Sequence, residues 1–401
     1  MKPLSKIEGK RILTFILAGG RGSRLSPLTK IRSKPSVPFG GNHRVIDFVL
    51  SSCINSRLRN IFLLTQTKSQ SLDTHIRMGW NFLSMALGEF ILPIPAQQQV
   101  GERWYLGSAD ALFQNLNIIE DYRPDLILVL SGDHIYRMDF KEMVMHHLET
   151  GADLTLPVLP IHKTEAHAFG VLSMGADGRV TRFLEKPKKV EDIPDPGDTC
   201  HINMGIYLFD TESLVRHIIH DIKQDSAHDF GQNIIPAMVA QNRVFAMPFE
   251  NNRLGDYWRD IGTLDNYYQS NMDMLDGPAS HMLSDKDWPI YPVGRAQHPT
   301  RFRKATIENS RIAGGCDLDG CSIINSVVFP GVTIGAGSVV ENSILFPEIR
   351  IGKNVHIRKA IVDKHVWLQD GAQVGLNPAE DQSRFTITES GITACPKGYV
   401  E

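Results

Sequence analysis

Between Ile307 and Val374, short β-branched pairs recur with Gly or Asn at a spacing of about six residues. Cys321-Ser322-Ile323-Ile324-Asn325, Gly331-Val332-Thr333-Ile334-Gly335, Ile349-Arg350-Ile351-Gly352 and Val355-His356-Ile357 all carry it. Few folds accept this period. Each turn must send an aliphatic residue inward, and only the neighbouring turns cover it. The spacing predicts a left-handed parallel β-helix of hexapeptide turns. A small sandwich of alternating strands is the competing fold, but it needs no six-residue register. Leu376 to Glu401 reads as a short polar tail that caps the coil.

The preceding part of the chain has a different pattern. Ile12 to Leu17 is an apolar run rich in β-formers, as in a buried central strand. It breaks into Gly19, Gly20 and Gly22, interleaved with Arg21 and Arg24, and Lys34 follows. A strand ending in such a loop brings backbone N–H groups and guanidinium donors to phosphate oxygens. The plainer alternative is a surface turn with solvated arginines. Val45 to Ser56 predicts a helix and Asn60 to Thr65 a second strand, which together make a βαβ crossover and a parallel sheet. Leu72 to Leu87 has helical spacing. Phe90 to Leu106 carries Pro93, Pro95 and Gln97-Gln98-Gln99 and reads as irregular, with a helix starting at Ser108 as N-cap. His201 to Asp210 reads as one strand. The fold class is α/β. A Rossmann-like domain with a mixed, mostly parallel sheet is expected over 1–274, a linker over 275–304, and the β-helix with its tail over 305–401.

Two carboxylates stand where strands end. In LILVLSGDHIY, Asp133 follows five apolar residues and Ser131-Gly132, so it faces the crevice at the carboxyl edge of the sheet. There it either serves as a ligand for Mg²⁺, completed by phosphate oxygens and water, or caps the following turn. Asp260 lies in the polar–aromatic stretch YWRDIGT. Glu185 and Lys186 end a hairpin strand before Pro187. They are either a solvated surface pair or partners for a sugar hydroxyl and a sugar phosphate.

A net charge of −3 gives no general attraction to nucleic acid or anionic membrane, so any phosphate site must be a local cluster of Arg and Lys. The 5 cysteines are scattered without zinc-site spacing and read as reduced thiols of a cytoplasmic protein. No apolar segment approaches the ~20 residues of a membrane span.

Taken together, GGRGSR, SGD, EKP and YWRDIGT, in this order and followed by hexapeptide turns, resemble the sugar-1-phosphate nucleotidyltransferases. SKPSVPFGG, RVIDFVLSSCINS, PAQQQ, WYLGSADA, NMGIYLFD and HDFG bring the likeness closest to members that join the adenylyl group of ATP to glucose 1-phosphate. The resemblance implies a magnesium-dependent reaction giving ADP-glucose and pyrophosphate, for glycogen or starch-type synthesis. It implies that Gly19, Gly20 and Gly22 hold the nucleotide while Gln97 faces adenine. Arg21 and Lys34 would neutralise the departing phosphates, and Asp133 and Asp260 would hold Mg²⁺. Lys186 would bind the phosphate of glucose 1-phosphate, with Tyr105, Gly170, Glu185 and Asn203 around the sugar. Related enzymes carry Ser where this chain has Asn203, which leaves the choice of sugar less tightly specified. The resemblance also implies a homotetramer under allosteric control. Arg32 and Arg44 match basic positions of the effector site, with Lys359 and Lys364 as candidates from the β-helix. Ile31 replaces a lysine that binds activator in some relatives, so the expected effector is not of the fructose-bisphosphate type. A transferase for another nucleotide or sugar phosphate, a regulatory subunit without catalysis, and a hexapeptide acyltransferase are the alternatives.

Overall fold

The computed structural model describes residues 4–20, 22–97, 103–193, 195–249, 256–277, 279–292 and 297–401. Its first part is built on an 11-stranded mixed sheet. Lys10–Leu17 lies at its heart, parallel to Asn60–Thr65 on one side and to Leu126–Ser131 on the other. Alternate residues of this strand face two separate apolar clusters: Ile12 and Ile16 one, Leu13 and Phe15 the other. Burial on both faces explains its unbroken apolar run. The chain leaves Lys10–Leu17 toward one side and returns on the other. That reversal opens a crevice at the carboxyl end of the strand, where the glycine loop begins. Beyond Leu126–Ser131 the sheet turns antiparallel through Ile206–Asp210.

Several elements differ from the sequence expectation. Phe90–Pro95 is a strand, parallel to Asn60–Thr65, despite its two prolines. It ends the sheet, where a missing N–H costs no ladder bond. The helix expected over 72–87 is Gln70–Gly79; Leu72, Ile76 and Trp80 are buried, whereas Leu87 is exposed. His201–Asp210 is two strands, Thr199–Asn203 and Ile206–Asp210. Gly205 breaks them with φ +70°, and its N–H donates to the Asn203 amide oxygen. The helix at Ser108 has Gly107 as its N-cap, because the Ser108 hydroxyl is engaged elsewhere, donating to Asp229 and accepting from the Phe230 N–H.

The C-terminal part is a parallel β-helix of three sheets. Leu318, Ile334, Ile351 and Leu368 stack in register inside one wall, and Ile323, Val340, Ile357 and Val374 inside the next. Left-handed residues turn one corner of successive coils: Asn309, Asn325, Asn342 and then Lys359. Asparagine suits that conformation. The tail is structured rather than a loose cap. Pro378–Arg384 is helical, and Thr393–Cys395 extends one wall beside Ala360–Val362. At the other end the first coil is open, leaving Phe302 55% and Ile307 37% exposed at positions that are buried in every later coil.

The two parts share one apolar cluster. Leu25, Leu28, Val37 and Phe39 from the glycine loop and its continuation join Tyr267, Phe346 and the β-helix interior. The proline-rich stretch expected as a linker contributes to it, with Ala279, Met282 and Ile290 buried. Tyr268 donates to the Asn342 carbonyl at 2.6 Å, and Arg311 to the Met274 carbonyl at 2.8 Å.

Candidate active site

The site begins where Leu126–Ser131 ends. The Gly132 N–H donates to the Leu17 carbonyl at 3.0 Å, which turns the chain beside the central strand and projects Asp133 over its carboxyl end. His134–Tyr136 then pairs antiparallel with Trp258–Asp260, placing His134 opposite Asp260. This short ladder joins two motifs far apart in sequence. A Cβ on Gly262 would sit 2.7 Å from the Asp260 carboxylate, so glycine leaves that carboxylate its space.

Lys34 reaches between the two aspartates. Its Nζ donates to Asp133 Oδ2 at 2.5 Å and to Asp260 Oδ1 at 3.2 Å. Burial disfavours the charged ammonium, but the two carboxylates outweigh it and raise the Lys34 pKa. Burial likewise opposes ionisation of Asp133, yet Lys34 and His134 bring it down to about 2. Two carboxylates thus converge on one ammonium. Asp133, His134 and Asp260 present one ligand atom each within 4.8 Å of one another. Two convergent carboxylates suit a hard divalent cation such as Mg²⁺, with water and phosphate filling its other positions. His134 lies edge-on to Trp258 and, among the described residues, its buried Nδ1 has no hydrogen-bond partner.

Beside this cluster is a cleft of about 390 Å³, lined by Gly19, Gly20, Gln66, Tyr105, Gly107 and Ser108 among others. Gly22 has φ +61°, and its carbonyl accepts from Thr29 Oγ1 at 2.7 Å, which curls the loop back. Arg21 lies outside the described residues. Gln97 follows the Phe90–Pro95 strand at the same carboxyl edge of the sheet and is exposed. The Tyr105 hydroxyl accepts from Asn115 at 3.1 Å, and burial raises its pKa.

Gly170 and Glu185 face each other across the hairpin. A Cβ on Gly170 would lie 2.4 Å from the Phe183 ring and 2.8 Å from the Glu185 carboxylate. Lys186 is 59% exposed and pairs with Glu185 at 2.9 Å. Asn203 is buried, and both ends of its amide are occupied, by the Tyr207 hydroxyl at 2.8 Å and the Gly205 N–H at 2.9 Å. These two bonds brace the strand break at Gly205 and leave the amide one further N–H and one further lone pair.

The basic residues assigned to regulation separate. Arg32 is buried, bonded to Asp363 of the β-helix at 2.9 Å, with its guanidinium 5.9 Å from the Phe346 ring centre. Arg44 donates to the Ser71 carbonyl at 2.7 Å, and burial lowers its pKa to about 10. Burial, then Arg44 and Arg32, lower Lys364 to about 8. Arg44 and Lys364 line a cavity of about 180 Å³ between the two parts. Lys359 is not drawn into this group. It turns a β-helix corner, and its ammonium donates to the Ser390 carbonyl at 2.5 Å.

One residue of the site, His134, escaped the sequence reading. It follows Asp133 directly but gains its place only through pairing with Trp258–Asp260. Gln66 is the first residue past the carboxyl end of Asn60–Thr65, and the rule that singled out Asp133 also points to it.

The comparisons with known proteins agree with this geometry. The nucleotidyl transferase family model matches residues 13–277, and the GlmU-like C-terminal hexapeptide model matches 292–395. Glucose-1-phosphate adenylyltransferase 2 of Alkalilimnicola ehrlichii is 43% identical, over 96% of this chain and 93% of its own length. The glucose-1-phosphate adenylyltransferase of Rhodopirellula baltica is 42% identical, over 97% of this chain and 90% of its own. That of Nitrosospira multiformis is 40% identical, over 95% and 92%. The chain belongs to the nucleotidyl transferase family, with glucose-1-phosphate adenylyltransferases as its relatives.

Proposed function

We propose that the protein transfers the adenylyl group of ATP to glucose 1-phosphate, giving ADP-glucose and pyrophosphate, and so supplies ADP-glucose for glycogen or starch-type synthesis. The observation that carries the reading is the pair of strand-end carboxylates, Asp133 and Asp260, closed on Lys34 beside a glycine-lined cleft. The names of the relatives support the choice of ATP and glucose 1-phosphate.

Glucose 1-phosphate is already an anionic nucleophile, so the reaction needs no general base. Its phosphate oxygen attacks the α-phosphorus of ATP in line, the bond to the bridging oxygen breaks, and pyrophosphate leaves. The protein then has to position the reactants and stabilise charge. Asp133 and Asp260 hold Mg²⁺, which when bound supplies charge neutralisation at the reacting phosphates. Lys34, kept protonated by the two aspartates, donates to phosphate oxygen as negative charge moves to the leaving group. Arg21 is assigned the same task. Gly19, Gly20 and Gly22 admit the triphosphate close to the backbone, and Gln97 faces adenine. Lys186, exposed beside Glu185, meets the phosphate of glucose 1-phosphate, while Glu185, Gly170 and Tyr105 shape the sugar side.

The inter-part cavity with Arg44 and Lys364 is proposed to take an anionic effector. The open first coil, with Phe302 and Ile307 bare, supports a homotetramer in which subunits cover it. Among the described residues no helix is long and apolar enough to cross a membrane, in keeping with a cytoplasmic place.

The test is Asp133→Asn, assayed for magnesium- and ATP-dependent ADP-glucose synthesis with UTP and GTP in parallel. Turnover should fall by on the order of 10²–10³. Near-normal turnover sinks the metal assignment, and a preference for UTP or GTP sinks the nucleotide assignment.

A further inference from the structure

His228 has no role in the chemistry above, yet the cleft is built against it. Its backbone is left-handed, with φ +50°, and its side chain is buried. Such a conformation is uncommon outside glycine, although asparagine, aspartate and histidine adopt it more readily than other side chains, and here the surroundings hold it. They do so through a closed polar cluster. His228 Nδ1 lies 2.8 Å from Asp221 Oδ2 and 2.9 Å from Ser226 Oγ. The Ser226 hydroxyl donates to Asp221 at 2.9 Å and accepts from the His228 N–H at 3.0 Å.

This backbone geometry aims the His228 carbonyl at the cleft wall. It accepts from the N–H groups of Ala109 at 2.8 Å and Asp110 at 3.3 Å, the unpaired donors at the start of Ser108–Phe113. A Cβ on Gly107 would sit 2.2 Å from that carbonyl and 2.3 Å from the carbonyl of Ala227. Gly107 is extended, so glycine is required there by space and not by φ. Gly107, Ser108 and Ala111 all line the cleft. One carbonyl from a remote loop thus closes the helix start and fixes how closely the wall approaches a ligand.

We propose that His228, held by Asp221, is a positioning residue for the nucleotide, acting through Gly107 and Ser108 without touching substrate. This rests on the reading that the cleft takes ATP. The test measures KM for ATP and for glucose 1-phosphate in His228→Leu, His228→Asn, Asp221→Asn and Gly107→Ala. His228→Leu loses the imidazole–carboxylate pair and disfavours the left-handed backbone. It should raise KM for ATP about tenfold, the worth of roughly one hydrogen bond, with KM for glucose 1-phosphate changed less than about twofold. His228→Asn tolerates that backbone and keeps a polar side chain, so it should recover most of the loss. If His228→Leu does not fold, Asp221→Asn reads the same split at about threefold. A merely structural role lowers the active fraction and leaves both KM values unmoved. That result, or an equal rise in both, overturns the proposal. Gly107→Ala separates the two levels. If it leaves KM for ATP unchanged, the nucleotide reading of the cleft fails. If it raises that KM while the His228 and Asp221 variants do not, only the role of His228 fails.

Discussion

Arg32 and Lys34 are nearly adjacent in the chain, and each makes an ion pair out of bulk water. Lys34 points to the carboxyl edge of the sheet and meets two aspartates. Arg32 points the other way and meets one, Asp363 of the β-helix. Charge balance separates them. Around Lys34 the carboxylates are in excess, so the group has room for another cation. Around Arg32 two further cations gather, Arg44 and Lys364, against Asp363 and the Asp47 carboxylate beside Arg44. The surplus charge, rather than the ion pair itself, indicates what each site is equipped to receive.

Neutralising the two residues should therefore have opposite signatures. Lys34→Met removes the donor proposed for the leaving phosphates, and turnover should fall by on the order of 10²–10³ while the folded state persists. Arg32→Met leaves Asp363, only 1% exposed, with the Lys364 N–H but without its guanidinium partner. It should cost about 3–5 kcal/mol in urea unfolding, with turnover per folded molecule little changed. Adding Asp363→Leu should restore most of that stability, since the penalty is the unpaired charge. If Arg32→Met loses as much turnover as Lys34→Met without unfolding, the contrast between the sites collapses.

The opposite edge of the sheet provides a control, because its charges are matched or neutralised. Arg11 holds Asp125 through two guanidinium bonds, at 3.2 and 3.1 Å. His147 is buried against Thr155, and burial, partly offset by Asp210 and Asp153, lowers its pKa to about 4. An ordinary histidine in the unfolded chain titrates near 6.5. Between these values the unfolded state binds more protons, so stability should fall as pH drops from about 6.5 to about 4 and then level off. The full effect is about 3 kcal/mol. Urea midpoints of wild type and His147→Gln across this range should converge at low pH. Parallel curves would show that His147 is not held neutral.

These contrasts were unevenly legible in the sequence. The strand, the glycine loop, Asp133 and the β-helix register could be read because each depends on local pattern: an apolar run, a break, a period. The meeting of Asp133 with Asp260 depends on a short antiparallel pair between distant segments, which no local pattern encodes. Phe90–Pro95 was hidden because proline normally argues against a strand, and only its place at the sheet edge makes it acceptable. Arg32 and Lys359 look alike in sequence, each a basic residue with other basic residues close by. The fold buries one against Asp363 and spends the other on a corner that asparagine turns in the earlier coils.

The smallest expected effect tests the surplus of positive charge at Arg32 directly. Lys364 is lowered to about 8 by burial and by its cationic neighbours, so it loses its proton as pH rises through that value. An anion in the adjoining cavity stabilises the protonated form, which by linkage makes its affinity depend on pH. Sulfate, which does not titrate in this range, is the suitable probe. Its affinity, followed by calorimetry, should weaken by up to about tenfold between pH 7 and 9. Sulfate binding at the catalytic edge would also register, so the informative quantity is the difference from Lys364→Met. That variant should bind more weakly at pH 7 and show little further change to pH 9. If wild type and variant weaken in parallel, the cavity does not draw on Lys364, and the anionic-effector reading loses its support from the β-helix side.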